Sequence, residues 1–334
     1  MKAMVLEETR PAEEQPLRLA EIADPVPGPG QIRIKIGACG VCHTDLHVVE
    51  GELPPKKLPL VPGHEIAGVV DLAGDGVTRF QRGDRVGVAW LNSTCRNCAF
   101  CLSGRENLCE QARFTGYDVN GGYAQYTLVG EDFAYPIPDG FPDLKAAPLL
   151  CAGIIGYRAL RLSDIEKGGR LGLYGFGASA HIVIQVATYW GCEVYVFTRS
   201  KEHRRLAEDL GATWTGRAED HPAARMHSSI IFAPAGGLVL DALRVLDKGG
   251  TLALAGIYMT PIPQMDYDKH LYHEKTVRSV ANSTREDAEG ILRLAAEIPI
   301  RTEVQEFALD EVNHVLMLVK QGAIQGAGVL RIPA

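Results

Sequence analysis

At 334 residues the chain is longer than a single hydrophobic core usually organises, which points to two domains. Hydrophobic residues make up 46% and charged residues 22%, so a disordered or fibrous chain is excluded in favour of a globular one. The net charge is −7 and no basic stripe stands out, which excludes nucleic acid and anionic membranes as partners.

The chain begins Met1-Lys2-Ala3-Met4-Val5-Leu6-Glu7, with charge arriving too soon for the apolar region of a signal peptide; a cytoplasmic location is expected. The first 150 or so residues are rich in Gly and Pro and in short alternating runs such as Ile32-Arg33-Ile34-Lys35-Ile36 and Arg85-Val86-Gly87-Val88. Turns such as Pro27-Gly28-Pro29-Gly30 bound them, and the pattern predicts a mostly β domain with irregular loops. From about Gly168 the rhythm becomes strand–helix alternation. Strands are expected at 171–174, 193–197, 229–233 and 251–255, with helices near 178–190, 201–210 and 238–246, giving a parallel sheet covered on both faces. The stretch between Arg170 and Glu193 has the length of a membrane span, but Gly172, Gly175 and Gly177 interrupt it and predict strand, turn and helix instead. Two helices close the chain. One is opened by a Ser283/Glu286 capping box ahead of Ala288, Ile291, Leu292 and Ala295; the other carries Val312, Val315, Leu316 and Val319 after Asp310.

Eight cysteines in a chain of this kind point to metal or catalysis before disulfides. Cys95-x2-Cys98-x2-Cys101-x7-Cys109 brings four thiolates within reach of one ion, and zinc is satisfied by four sulfurs at ~2.3 Å with no position left open. Such a site holds a loop and performs no chemistry. Two disulfides, four unrelated core cysteines and an iron–sulfur cluster are the competing readings of the same residues.

A second set is dispersed. Gly40-Val41-Cys42-His43-Thr44-Asp45-Leu46-His47 is followed by Pro62-Gly63-His64-Glu65 and by Leu149-Leu150-Cys151-Ala152-Gly153. Two sulfurs and one imidazole from separate segments would leave a fourth zinc position for water or substrate, whereas Cys151 alone reads as a small core residue. Together with the four-cysteine run, these motifs stand in the order found in zinc-dependent medium-chain alcohol dehydrogenases, which the chain resembles along essentially its whole length. The resemblance implies a Rossmann doubly wound parallel sheet inserted into a mostly β GroES-like catalytic domain. Residues 1–152 would form the catalytic zinc domain with a structural zinc loop at 95–109, 153–280 the nucleotide-binding domain, and 281–334 the return to the catalytic domain.

The same resemblance implies two zinc ions per chain, the catalytic one on Cys42, His64 and Cys151, with Glu65 beside the metal and Asp45 orienting His64. The activity it implies is reversible hydride transfer between an alcohol and NAD(P), giving an aldehyde or ketone. Zinc would polarise the substrate oxygen, and Thr44, a cofactor ribose and His47 would relay the proton. His43 would approach the cofactor pyrophosphate. Zinc-free quinone or enoyl reductases of the same superfamily lack the Cys42, His64 and Cys151 triad, and polyol dehydrogenases commonly carry an acidic third ligand.

Gly172-Leu173-Tyr174-Gly175-Phe176-Gly177-Ala178-Ser179-Ala180 joins a strand to a helix, so Gly175, Phe176, Gly177 and Ala178 are expected to cradle the cofactor phosphates. The next strand ends Phe197-Thr198-Arg199-Ser200, with Thr198 where NAD-using relatives carry Asp. Arg199 and Ser200 would instead meet a 2′-phosphate, which favours NADP over NAD. Relatives commonly place Thr where Ile155 stands and an arginine near Gln325–Gly328. Thr44, Leu53 and Trp90 fall where pocket-lining residues occur; Leu53 replaces a bulkier aromatic, so longer-chain or aromatic primary alcohols are expected to fit. A homodimer or homotetramer is implied by resemblance. Cys39 and Cys192 read as structural, and His181, His221, His270 and His273 carry no chemical signal.

Overall fold

The computed structural model describes residues 1–333, which divide into two compact units. The first comprises Met1–Cys151, Thr284–Ala296 and the described residues from Thr302 on; the second comprises Ala152–Ser283 and Glu297–Arg301. Against the expected boundaries, Ala152, residues 281–283 and the short segment 297–301 go with the second unit.

In the first unit the strand Gln31–Val41 alternates buried and half-buried residues, with Ile32, Ile34 and Ile36 pointing inward. It pairs antiparallel with Glu65–Ala73, with Tyr126–Gly130 and with Ala327–Arg331. The sheet continues through Arg85–Val88 to Ala134–Pro136 on one side and to Val304–Ala308 on the other. Its core gathers Leu6, Ile32, Ile34, Leu60, Ile66, Tyr123 and Phe133, and the last helix, Val312–Gln321, adds Val312, Val315, Leu316 and Val319 as its periodicity predicts.

The second unit holds six strands in the order Trp214–Gly216, Glu193–Phe197, Arg170–Tyr174, Met226–Ile231, Leu246–Leu254, Thr276–Ser279, all parallel. In chain order within this unit that is 3-2-1-4-5-6, the Rossmann arrangement. The long uncharged stretch becomes the central strand Arg170–Tyr174 and the helix Ala178–Tyr189, where Ala180, Ile182, Val183, Ile184, Val186 and Ala187 are buried. Burial on most sides removes the need for charge, and among the described residues no helix is long and apolar enough to cross a membrane.

Two local expectations are corrected. The third and fourth strands begin earlier, at Met226 and Leu246, than 229 and 251. The capping box ahead of Arg285–Glu297 sits one residue later than Ser283/Glu286. Thr284 N–H and its hydroxyl donate to the Asp287 carboxylate at 2.9 and 2.7 Å, and Asp287 N–H donates back to Thr284 Oγ1 at 3.3 Å. Threonine offers the same hydroxyl as serine, and Asp287 is fully buried, so the buried pair takes the cap. The expected apolar face, Ala288, Ile291, Leu292 and Ala295, is buried.

Candidate active site

The helix His43–Glu50 opens at Cys42, whose extended backbone makes it the cap residue. Its sulfur accepts the Thr44 N–H at 3.3 Å, and Asp45 Oδ2 accepts the Cys42 N–H at 2.9 Å, a capping box with a thiol in the place of a hydroxyl. The other Asp45 oxygen meets His64 Nδ1 at 3.0 Å, and both groups are buried. With Nδ1 turned to that carboxylate, Nε2 faces Cys42 Sγ at 3.4 Å. Glu65 opens the strand Glu65–Ala73, and Cys151 follows the helical turn Ala147–Leu150. One donor atom from each of Cys42, His64, Glu65 and Cys151 falls within 4.8 Å of all the others.

Two glycines make that convergence sterically possible. Gly63 has φ +94°, and a Cβ there would stand 2.5 Å from the Tyr123 ring. A Cβ on Gly40 would stand 2.0 Å from Glu65 Oε2, so the carboxylate occupies the space a side chain would need.

Burial sets the protonation of this set. A hydrogen bond from Cys151, joined by the adjacent His64, holds the Cys42 thiol well below its usual range; the same bond and burial push Cys151 up. Burial, then the negative Cys42, drives the Glu65 carboxyl well above its usual range. For His64 burial disfavours the cation, but Asp45 and Cys42 outweigh it and raise the imidazole. Two cysteine sulfurs, an imidazole held by Asp45 and a carboxyl group form a donor set that fits zinc, whose entry would displace the protons they carry.

Cys95, Cys98, Cys101 and Cys109 also lie with their sulfurs within 4.8 Å of one another. The separations Cys95–Cys101 3.8 Å, Cys98–Cys101 3.5 Å and Cys95–Cys109 3.5 Å match the roughly 3.8 Å edge of a tetrahedron with ~2.3 Å zinc–sulfur bonds. All four are free thiols, which removes the disulfide reading, and a multi-iron cluster would hold its thiolates farther apart. The N–H groups of Asn97 and Cys98 pull the Cys95 thiol down to about 6. Within this loop Glu106 is buried and accepts from Arg285 N–H at 3.0 Å and Nε at 3.2 Å, fastening the loop to the start of the returning helix.

Thr44 and His47 share one face of the helix His43–Glu50, and exposed His43 begins it. His47 Nδ1 contacts the carboxylate of Glu52, a partner the sequence does not single out, just beyond the helix-ending Gly51. Leu53 donates its N–H to the His47 carbonyl at 3.0 Å and is half-buried. Trp90 stands edge-on to His64 with centroids 4.9 Å apart, stacks on Phe114 at 5.2 Å and lies 5.8 Å from Tyr117. Phe114 and Tyr117 extend the aromatic wall beyond the predicted residues; nothing in their spacing marks them, because Arg113–Phe114 reaches Trp90 only by pairing with Leu91–Ser93 across the cysteine loop.

In the second unit Gly175 turns the chain at φ +86° after the strand Arg170–Tyr174, Phe176 is buried, and Gly177 precedes the helix beginning at Ala178. A Cβ at Gly177 would meet nothing within 4 Å, and no side chain caps that helix N-terminus. An open space against uncapped N–H groups fits a phosphate. At the neighbouring strand end Thr198 is buried and donates its N–H to Gly216 O at 2.8 Å, while Arg199 is exposed with no carboxylate at ion-pair distance among the described residues. Ser200 caps the helix Lys201–Asp209, accepting from His203 N–H at 3.1 Å, and donates its hydroxyl proton to Glu202 at 2.8 Å. Its one donor is occupied, so Arg199 is left as the stronger anion-facing group.

Residues 28–139 match the alcohol dehydrogenase GroES-like domain and residues 178–297 the zinc-binding dehydrogenase family. The chain is 46% identical to the probable alcohol dehydrogenase AdhA of Mycobacterium tuberculosis, with 99% of this chain and 97% of that protein covered. Identity to an alcohol dehydrogenase of Geobacillus stearothermophilus is 36%, covering 99% and 100%. Among solved structures, a cinnamyl alcohol dehydrogenase of Sorghum bicolor superposes with a TM-score of 0.90 at 29% identity, covering 99% and 97%. A cobalt- and zinc-bound thermostable alcohol dehydrogenase from Pyrobaculum aerophilum gives 0.90 at 26%, covering 99% of each chain.

Proposed function

Given that the chain belongs to the zinc-type medium-chain dehydrogenase/reductase family and is an alcohol oxidoreductase, we propose that it interconverts primary alcohols and aldehydes with NADP in preference to NAD. The observation that carries this reading is the convergence of Cys42, His64, Glu65 and Cys151 donors within 4.8 Å, with Asp45 holding the His64 tautomer. Cys42, His64 and Cys151 would hold a catalytic zinc, with Glu65 beside it, and Cys95, Cys98, Cys101 and Cys109 a structural one. Bound zinc supplies Lewis acidity that lowers the pKa of an alcohol oxygen, and the bound nicotinamide exchanges hydride with the carbon.

The chain's own residues do the rest. The Thr44 hydroxyl takes the alcohol proton, and His47, on the same helix face, passes it to solvent. Glu52 accepts from His47 Nδ1–H, which orients the ring and leaves Nε2 as the working nitrogen. Thr44, Leu53 and Trp90 shape the substrate pocket, and the aromatic wall of Trp90, Phe114 and Tyr117 favours longer or aromatic alcohols over ethanol. Backbone groups from Gly175 to Ala178 hold the cofactor diphosphate. Arg199, supported by Thr198 and Ser200, meets the 2′-phosphate. The enzyme works as a homodimer or homotetramer in the cytoplasm.

Steady-state kinetics with both cofactors across ethanol, hexanol and benzyl alcohol test these assignments together. The expected result is a higher kcat/KM for NADP and for the larger alcohols, and loss of turnover on chelation. Full activity in a zinc-free preparation overturns the metal assignment, and a ratio favouring NAD overturns that of Arg199.

A further inference from the structure

The second unit contains a cavity of about 460 Å3 at the amino ends of the strands Met226–Ile231, Leu246–Leu254 and Thr276–Ser279. The turn at Gly175 lies at the carboxyl end of Arg170–Tyr174 in the same parallel sheet, so the cavity is at the opposite end of the sheet from the proposed cofactor turn. Its lining carries five cations, Arg225, Arg244, Lys248, Lys269 and Lys275, against the carboxylates of Asp247 and Asp268, on a chain whose net charge is −7. His270 and His273 also line it.

Some of this charge has a local purpose. Lys275 donates to the Leu243 carbonyl at 2.6 Å, and Arg225 donates to the carbonyls of Arg244 and Leu246 at 3.2 and 3.4 Å, covering the carboxyl end of the helix Leu238–Val245. Those acceptors are neutral, and Asp247 offsets Lys275 only from beyond ion-pair distance. Arg244 and Lys269 have Asp241 and Asp266 at 3.1 and 3.4 Å, but among the described residues no carboxylate reaches Arg225, Lys248 or Lys275 at ion-pair distance. Lys275 is buried as well, and burial followed by the charge of Arg225 lowers its pKa. Helix capping accounts for two of the unpaired cations and leaves Lys248 without a role. Like charges gathered around a concavity are stabilised by an anion placed among them.

We propose that this cavity binds a small phosphate-class polyanion, a diphosphate group or a molecule carrying more than one phosphoryl group. Its volume lies within the roughly 300–1,000 Å3 of small-molecule sites and exceeds what one phosphate fills. Charge-assisted hydrogen bonds would come from buried Lys275 and exposed Arg225, with exposed Lys248 and Lys269 adding charge at the mouth.

The test is calorimetric and thermal titration of the full chain saturated with NADP, so that the dinucleotide site is filled, with ionic strength held constant by NaCl. Inorganic pyrophosphate and fructose 1,6-bisphosphate are the two probes. Binding of either in the sub-millimolar range, with a raised melting temperature, is expected. Tighter binding of the sugar bisphosphate assigns the site to a phosphorylated metabolite, and tighter binding of pyrophosphate to an inorganic anion. Lys248→Ala combined with Lys269→Ala removes mouth charges from an exposed position without touching the capping contacts. It should weaken binding about tenfold and leave turnover unchanged. No binding above the NaCl control, or an unchanged Kd in the double variant, overturns the proposal.

Discussion

The two cysteine-rich groups differ in almost everything except the metal they fit. The four sulfurs of Cys95, Cys98, Cys101 and Cys109 come from one loop, three of the four residues are only half-buried, and the backbone N–H groups of Asn97 and Cys98 lower the Cys95 thiol. The donors of Cys42, His64, Glu65 and Cys151 come from separate segments, and the side chains around them, Asp45 foremost, set their state inside a buried space. A set made only of sulfur is closed when an ion binds. A set that mixes two thiols with an imidazole and a carboxylate held near neutrality has donors of unequal strength, and can hold a metal while leaving it reactive.

Substitutions should separate the two. His64→Ala is expected to lower kcat/KM by about a thousandfold or more, because the lost Lewis acidity is worth several kcal/mol, while zinc content falls from two equivalents to one and the melting temperature changes little. An equal loss of stability would erase the distinction. Cys95→Ala should do the reverse, lowering the melting temperature by on the order of 10 °C while folded enzyme keeps most of its turnover. Glu52→Gln should cut kcat roughly three- to tenfold with KM little changed and displace the pH profile, and Glu52→Asp should restore part of it. A uniform change in KM alone would assign Glu52 to structure. The smallest effect is expected from Glu106→Gln, about 1–2 kcal/mol of stability measured by urea unfolding, because its Arg285 contacts persist without the charge.

Legibility in the sequence followed the same divide. The four-cysteine loop could be read from spacing because its donors are neighbours along the chain. The Rossmann unit could be read because buried strands such as Glu193–Phe197 are continuous apolar runs between helices. The dispersed donors were legible only through resemblance, since Cys151 between Leu150 and Ala152 looks like any core residue. The Glu52 contact with His47 escaped because it depends on how Gly51 ends a helix, and Phe114 and Tyr117 escaped because they reach Trp90 only after folding. The cap at Thr284 was misplaced by one residue, because Ser283 and Thr284 are both buried and only their partners, exposed Glu286 and buried Asp287, tell them apart. His270 and His273, silent in the sequence, line a charged cavity.

Gly40 and Gly63 contribute no donor to the metal-binding set, yet Gly40 leaves the volume that the Glu65 carboxyl fills and Gly63 the volume that the Tyr123 ring fills. A copy of this chain that retained Cys42, His64 and Cys151 but gained a side chain at either glycine would look intact on a count of ligands, yet would collide with Glu65 at Gly40 or with the Tyr123 ring and Cys39 at Gly63. When working copies are to be told from decayed ones, these two positions therefore carry information that the ligands themselves do not.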